Sequence, residues 1–197
     1  MLYAGQHDKV GLPHTPAIPL RPVGGALKRA LDIVVALAAL ILLLPLFLVV
    51  AQLVLVTMGA PVLRRQTRIG FGGRPFGCYR FRTSHSPGEG PTELGLLLVR
   101  SGIDKLPQLL NVLKGEMSCV GPRPAVAEEL PGHGHEATPY LSARPGITGM
   151  WQLAPNVPSR DEAAALDSAY VHNWSMQGDV VILLRTIPAV VRVEDRA

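Results

Sequence analysis

Cysteine is scarce in this chain: among 197 residues only Cys78 and Cys119 carry a thiol. They lie far apart and lack Cys-x-x-Cys spacing, which excludes a disulfide framework or a cysteine metal site and fits a domain facing a reducing compartment. Aromatic residues make up 5% of the chain. Those near its basic segment, Phe71, Phe76, Tyr79 and Phe81, form no RNP-like or zinc-finger pattern, so nucleic acid is not an expected partner. Long hydrophobic runs are missing but for one, which argues against a polytopic membrane protein although hydrophobic residues reach 48%. Acidic residues are absent from Arg64 to Arg82, where six arginines gather in a chain of formal net charge +4. Such a field suits anionic headgroups, at roughly 1 kcal/mol per basic residue near a membrane surface, or a phosphorylated substrate.

The one long run is Ile33 to Ala51, nineteen uncharged residues between Lys28-Arg29 and Arg64, Arg65 and Arg68. At ~1.5 Å per residue a helix of this length nearly crosses a ~30 Å hydrocarbon layer, and with Leu53 to Met58 added it is long enough for a simple span. It exceeds the ~7 to 15 residues of a signal-peptide core and no small-residue cleavage site follows, so it reads as a retained anchor. Basic residues flank both ends, and such residues favour the cytoplasmic side. Pro45, near the middle, removes a backbone hydrogen bond and clashes with the carbonyl four residues earlier, which predicts a kink. A helix that enters the membrane, bends and returns to the same face meets all of these constraints.

Three parts follow: a flexible tail over 1–27 with Pro13, Pro16, Pro19 and Pro22, a re-entrant, Pro-kinked membrane helix over 28–60, and a small, helix-rich α/β domain over 61–197. Within the last, Arg64 to Thr83 reads as a hairpin around Gly70, Gly72 and Gly73, and Ser84 to Pro91 as a loop. Leu106, Leu109, Leu110 and Leu113 form one helical stripe over Lys105 to Lys114, with Asp104 as N-cap and Gly115 as left-handed terminator. Ser159 and Glu162 spell a capping box before a helix over about Arg160 to Asn173. Asp179 is placed to cap a last apolar helix bent at Pro188.

Two residues stand out chemically. Asp104, at a helix N-terminus, would be held ionised where a phosphate also binds, and an ionised Asp beside a metal-bound phosphate can act as a nucleophile and form an acyl phosphate. The plainer role is capping alone. Arg123, in Gly121-Pro122-Arg123-Pro124, is presented from a stiff turn, and its planar guanidinium can grip two phosphate oxygens; the plainer role is an exposed loop arginine. His133, His135 and Glu136 lack further ligands for a structural metal site.

The ordered blocks over about residues 28 to 192 resemble the bacterial sugar transferase family, the monotopic polyprenyl-phosphate phosphoglycosyl transferases. The likeness runs through Lys28-Arg29-Ala30-Leu31-Asp32, Arg65-Gln66 with Arg68, Tyr79-Arg80-Phe81-Arg82, Leu106-Pro107-Gln108, Asn111-Val112-Leu113-Lys114-Gly115-Glu116-Met117-Ser118, Gly121-Pro122-Arg123-Pro124, Arg144-Pro145-Gly146, Asn173-Trp174-Ser175 and Asp179. The resemblance implies an enzyme of the bacterial cytoplasmic (inner) membrane, facing the cytoplasm. It would move a phosphosugar from a nucleotide diphosphate sugar to polyprenyl phosphate, with Mg²⁺, as the first membrane step of glycan or exopolysaccharide assembly. Asp104 takes the nucleophile position and would touch the metal. Arg123 matches the family's Pro-Arg-Pro arginine, and Arg80, Arg82 and Arg144 match basic positions expected near phosphates or headgroups. Lys105 stands where the family has Glu, and Leu96 and Val99 where it usually has arginines. Lys105 remains a catalytic candidate that puts positive charge directly on the leaving phosphate, but losing that carboxylate weakens a hard-cation site, so the alternative is a catalytically impaired relative that binds lipid phosphate as a membrane scaffold. A homo-oligomer is compatible with the sequence.

Overall fold

The structure, a computed structural model, describes residues 21–86, 88–130, 137–154 and 159–191, with the backbone alone over 187–191. The expectations for the tail up to residue 20 and for His133, His135 and Glu136 lie outside the described residues.

One long helix, α1 (Gly25–Met58), opens the described chain and runs through Pro45. It begins three residues before the expected boundary, entered from Gly24 with φ 80°. Its apolar window has a mean hydropathy of 3.3 and is only 11% buried. That separates it from the core helix of a water-soluble domain. Ile41 is 75% and Leu42 78% exposed, within an apolar surface too large for a water-facing helix. Both halves of α1 nevertheless rest on one body. Ala36 packs with Cys78, Leu109, Val112 and Met117, while Val50, Val54 and Met58 pack with Phe81 and Leu98.

The body is helix-rich with two small sheets. β1 (Leu63–Ile69) and β2 (Pro75–Phe81) form the expected antiparallel hairpin, with Arg64 opposite Arg80 and Arg68 opposite Phe76. Because strand side chains alternate, Arg64, Gln66, Arg68 and Arg80 share one face. A second sheet pairs β3 (Ser118–Val120) in parallel with β4 (Gly146–Thr148). Five further helices are α2 (Glu93–Ser101), α3 (Gln108–Lys114), α4 (Ala137–Ser142), α5 (Met150–Leu153) and α6 (Arg160–His172). The last described element is α7 (Met176–Val191). Thr92 caps α2 by accepting from the Gly95 N–H. Ser159 and Glu162 make the reciprocal capping box expected for α6.

Two caps differ from expectation. Asp104 does not cap α3, which starts only at Gln108 after Pro107 and has no side-chain cap bond. A proline with helical φ needs no such partner, since it lacks the N–H that would go unsatisfied. Asp179 does not cap α7 either. The Ser175 hydroxyl takes the Gly178 N–H, and Asp179 is wholly buried one turn in. There it accepts from Lys28 Nζ at 2.6 Å, Tyr170 OH at 2.8 Å and Trp174 Nε1 at 3.1 Å. Asp32, on the next turn of α1, accepts from the Ser118 hydroxyl and the Cys119 N–H. These two carboxylates tie α1 to α7 and β3.

Candidate active site

Asp104 sits in a single 3₁₀ turn, Ile103–Lys105, wedged between α2 and α3. Gly102 makes that turn possible: its φ of 71° closes α2 and redirects the chain at once, a conformation a side chain would strain. Asp104 is 2% exposed. Its Oδ2 accepts from Arg80 Nη1 at 3.3 Å, and its Oδ1 is buried with no hydrogen-bond partner. Burial raises the Asp104 carboxyl above the usual carboxylate range, and the charges of Arg80 and then Lys105 pull it back. Desolvation rather than a helix dipole therefore sets its protonation, since α3 is short and begins beyond it.

Lys105 turns away along the same edge, its Nζ 5.2 Å from the centre of the Trp151 ring. Arg80, on β2, leads to Arg68 on β1. The Arg68 guanidinium is held by the Pro124 carbonyl at 3.0 Å and Gln66 Oε1 at 2.7 Å. Burial and then the neighbouring Arg80 charge lower its pKa, with Arg123 adding a smaller push. A cationic row thus links Asp104 to the Gly121-Pro122-Arg123-Pro124 turn. Arg68 was not singled out as a site residue from sequence, although the period of two along β1 puts it on the Arg80 face.

Arg123 is exposed, and its backbone N–H is fixed by Asp167 Oδ2 at 2.9 Å. The other two arginines are engaged elsewhere. Arg82 donates to the backbone carbonyls of Ser84, His85 and Ala60 and so braces the loop after β2. Arg144 donates to the Gly115 carbonyl at 2.9 Å, at the C-terminal end of α3 and thus across that helix from Asp104. Burial, followed by the Arg29 charge, lowers its pKa.

Asp167, on α6, is a residue that sequence reading missed. It is 3% exposed and one of its oxygens lacks a partner. Burial pushes its carboxyl up to about 7, against the Arg123 backbone N–H and charge. An unfolded Asp titrates near ~3.9, so between ~4 and ~7 the folded chain keeps a proton the unfolded chain has released. Stability from this group is therefore full below that window and is lost as pH rises through it. Asp167→Asn keeps an acceptor for Arg123 and removes the charge. Its melting temperature is expected to exceed the parent's at pH 8, with the gap closing toward pH 4; a pH-independent gap would contradict this.

A magnesium ion is implied by the resemblance, and the residues can be tested for it. Among the described residues no three His, Cys, Asp or Glu side chains converge. Glu116, the next carboxylate along, is bound to Asn111 Nδ2 at 2.6 Å at the far end of α3 and cannot replace the missing Glu. What remains is Asp104 Oδ1, a buried oxygen without a partner. Magnesium is often held by one carboxylate together with substrate phosphates, and Asp104 fits that minimal arrangement.

A buried carboxylate thus stands beside a row of guanidinium groups, on a body clasped to an apolar helix. The sequence model described as "Bacterial sugar transferase" matches residues 23–193. The exopolysaccharide production protein ExoY of Sinorhizobium fredii is 40% identical over 87% of this chain and 88% of its own length. The UDP-glucose:undecaprenyl-phosphate glucose-1-phosphate transferase of Caulobacter vibrioides is 36% identical over 93% of this chain and 79% of its own. The undecaprenyl-phosphate galactose phosphotransferase of Salmonella typhimurium is 35% identical over 84% of this chain but 40% of its own. The chain belongs to the bacterial sugar transferase family.

Proposed function

We propose that this protein is a phosphoglycosyl transferase that moves a phosphosugar from a nucleotide diphosphate sugar to polyprenyl phosphate through an aspartyl intermediate. The observation that carries the reading is Asp104, buried against Arg80 with one side-chain oxygen lacking a side-chain partner. In the first step an Asp104 oxygen attacks the sugar-linked phosphorus. The bond from that phosphorus to the nucleoside monophosphate breaks, and the monophosphate leaves with the electron pair. In the second step an oxygen of polyprenyl phosphate attacks the same phosphorus and frees the Asp104 carboxylate. Arg80 faces the nucleophile, and Arg123, stiffened by its prolines and by Asp167, grips the diphosphate from the exposed turn. Magnesium, held by the Asp104 carboxylate together with the substrate phosphates, would neutralise diphosphate charge.

The relatives named for undecaprenyl-phosphate sugar transfer support the acceptor class. The clasp of both halves of α1 on one body supports a re-entrant helix with its ends on the cytoplasmic face of the inner membrane. A nucleotide-sugar panel tests the reaction: nucleoside monophosphate should appear before any lipid acceptor is added. Release from none of the donors, with lipid phosphate still bound, would favour the scaffold reading that Lys105 motivates. Lys105→Glu should lower the magnesium concentration needed for half-maximal release by roughly tenfold, the size of effect that changes around a metal site produce. An unchanged magnesium requirement would show that position 105 does not address the metal.

A further inference from the structure

A cavity of about 60 Å³ opens where the Arg123 turn meets α6. Arg160, Ala163 and Asp167 face it together, because positions three and four apart share one side of a helix. Ala125 and Glu129 close it from the chain that follows Arg123. Ala125, Ala163 and Asp167 are buried and Arg123, Arg160 and Asp161 exposed, which gives the cavity a closed floor and a mouth of mixed charge.

The floor holds an unmet acceptor. Asp167 is 3% exposed; its Oδ2 takes the Arg123 N–H, and its buried Oδ1 has no partner among the described residues. Buried polar atoms in native proteins are nearly always satisfied, so Oδ1 calls for a hydrogen-bond donor supplied by a ligand.

The walls narrow the class of ligand. Glu129, Asp161 and Asp167 would repel a bare phosphate, and Arg123 and Arg160 a metal ion. A nucleobase would find no aromatic ring to stack on among the residues that line the space. A ring of hydroxyl groups suits both signs of charge, because each hydroxyl can donate to a carboxylate and accept from a guanidinium.

Position narrows it further. The cationic row runs from Asp104 through Arg80 to Arg68, whose Nη1 lies 3.9 Å from Glu129 Oε2 at the cavity wall. In phosphoryl transfer the attacking and leaving oxygens lie roughly in line. A leaving nucleoside monophosphate therefore points away from Asp104 and along the row. That places its ribose, rather than the transferred sugar, at the far end.

We infer that this cavity receives the ribose of the donor nucleotide, with Asp167 Oδ1 accepting from a ribose hydroxyl while Arg123 holds the adjoining phosphate. The inference rests on the proposed reaction for the presence of a nucleotide. It makes the site selective for donors whose ribose keeps its hydroxyls.

Calorimetry on the full-length protein in nanodiscs tests this without turnover. At pH 8 the Asp167 carboxyl, pushed up by burial to about 7, is ionised. The four ribonucleoside monophosphates are compared with their 2′,3′-dideoxy counterparts and with pyrophosphate, which can occupy the arginine row but has no ribose. The tightest-binding ribonucleotide should lose about tenfold in affinity or more without its hydroxyls, the size expected of a hydrogen bond to a charged group. Asp167→Asn keeps an acceptor for the Arg123 N–H and removes the charge, so that gap should shrink to about threefold or less while pyrophosphate binds as in the parent. Ala163→Leu, which fills the cavity, should weaken the ribonucleotide roughly tenfold and also spare pyrophosphate.

Equal affinity for ribonucleotides and their dideoxy forms, or binding of none of the four, overturns the site. So does a hydroxyl preference that Asp167→Asn leaves unchanged, and so does a matching loss of pyrophosphate affinity, which would confine Asp167 to holding Arg123. Variants that change the choice among nucleotide sugars but not the ribose preference would overturn it in favour of the transferred sugar. Ribose selectivity in a protein that releases no monophosphate would sink the reaction and leave the site standing; release without that selectivity would do the reverse.

Discussion

Asp104→Asn should eliminate nucleoside monophosphate release while leaving the fold intact. Asn matches Asp in size and keeps an acceptor for Arg80 Nη1, so the 3₁₀ turn and its 3.3 Å contact lose only charge. An amide oxygen cannot displace a nucleoside monophosphate from phosphorus as a carboxylate can, and removal of a covalent nucleophile elsewhere costs on the order of 10⁶ in kcat. A loss of at least ~10³ is expected here, with the melting temperature near that of the parent. Since burial comes first among the causes that raise the Asp104 pKa, release by the parent should also climb with pH as the carboxyl ionises. Near-normal turnover by the Asn variant would assign the nucleophile elsewhere, and a parent rate that falls as pH rises would contradict an ionising Asp104.

The sequence made some of this legible and concealed the rest for a physical reason. The hairpin over Leu63–Phe81 and the Ser159–Glu162 capping box depend on residues a few positions apart, and both formed as expected. Asp104 was identifiable because its segment carries a motif, yet its surroundings were misjudged: a capping role implies a solvated, ionised carboxylate, whereas Gly102 turns the chain so that Asp104 is buried. Asp167, Arg68 and Asp179 were harder. The Asp167 contact to Arg123 spans 44 positions, the Arg68 contact to Pro124 spans 56 and the Lys28 contact to Asp179 spans 151. Local periodicity carries no information about such pairings. Asp179 looked like a cap because its neighbours in sequence suit one, and only tertiary packing turns it inward.

That inward turn carries the second large expectation. Lys28 is 5% exposed and Asp179 wholly buried, so each ion is tolerated only because of the other and of the Tyr170 and Trp174 donors. Asp179→Ala would leave the Lys28 ammonium buried, with only the Asp32 carboxylate, 3.9 Å away, still paired to it among the described residues. Removing one member of a buried pair typically costs ~3–5 kcal/mol, and the nearby Asp32 argues for the lower end. For a chain of this size ~3 kcal/mol corresponds to a melting temperature lower by roughly 6–12 °C. Replacing both ions, as in Lys28→Met with Asp179→Leu, removes the stranded charge and should recover much of the loss, because a well-packed apolar pair often matches a buried ion pair. A double variant as unstable as Asp179→Ala would instead locate the value of Asp179 in its bonds to Tyr170 and Trp174. Either result bears on the site, because Ala36 of α1 packs with Leu109 of the segment that follows Asp104 and the Lys28–Asp179 contact helps hold α1 against the body.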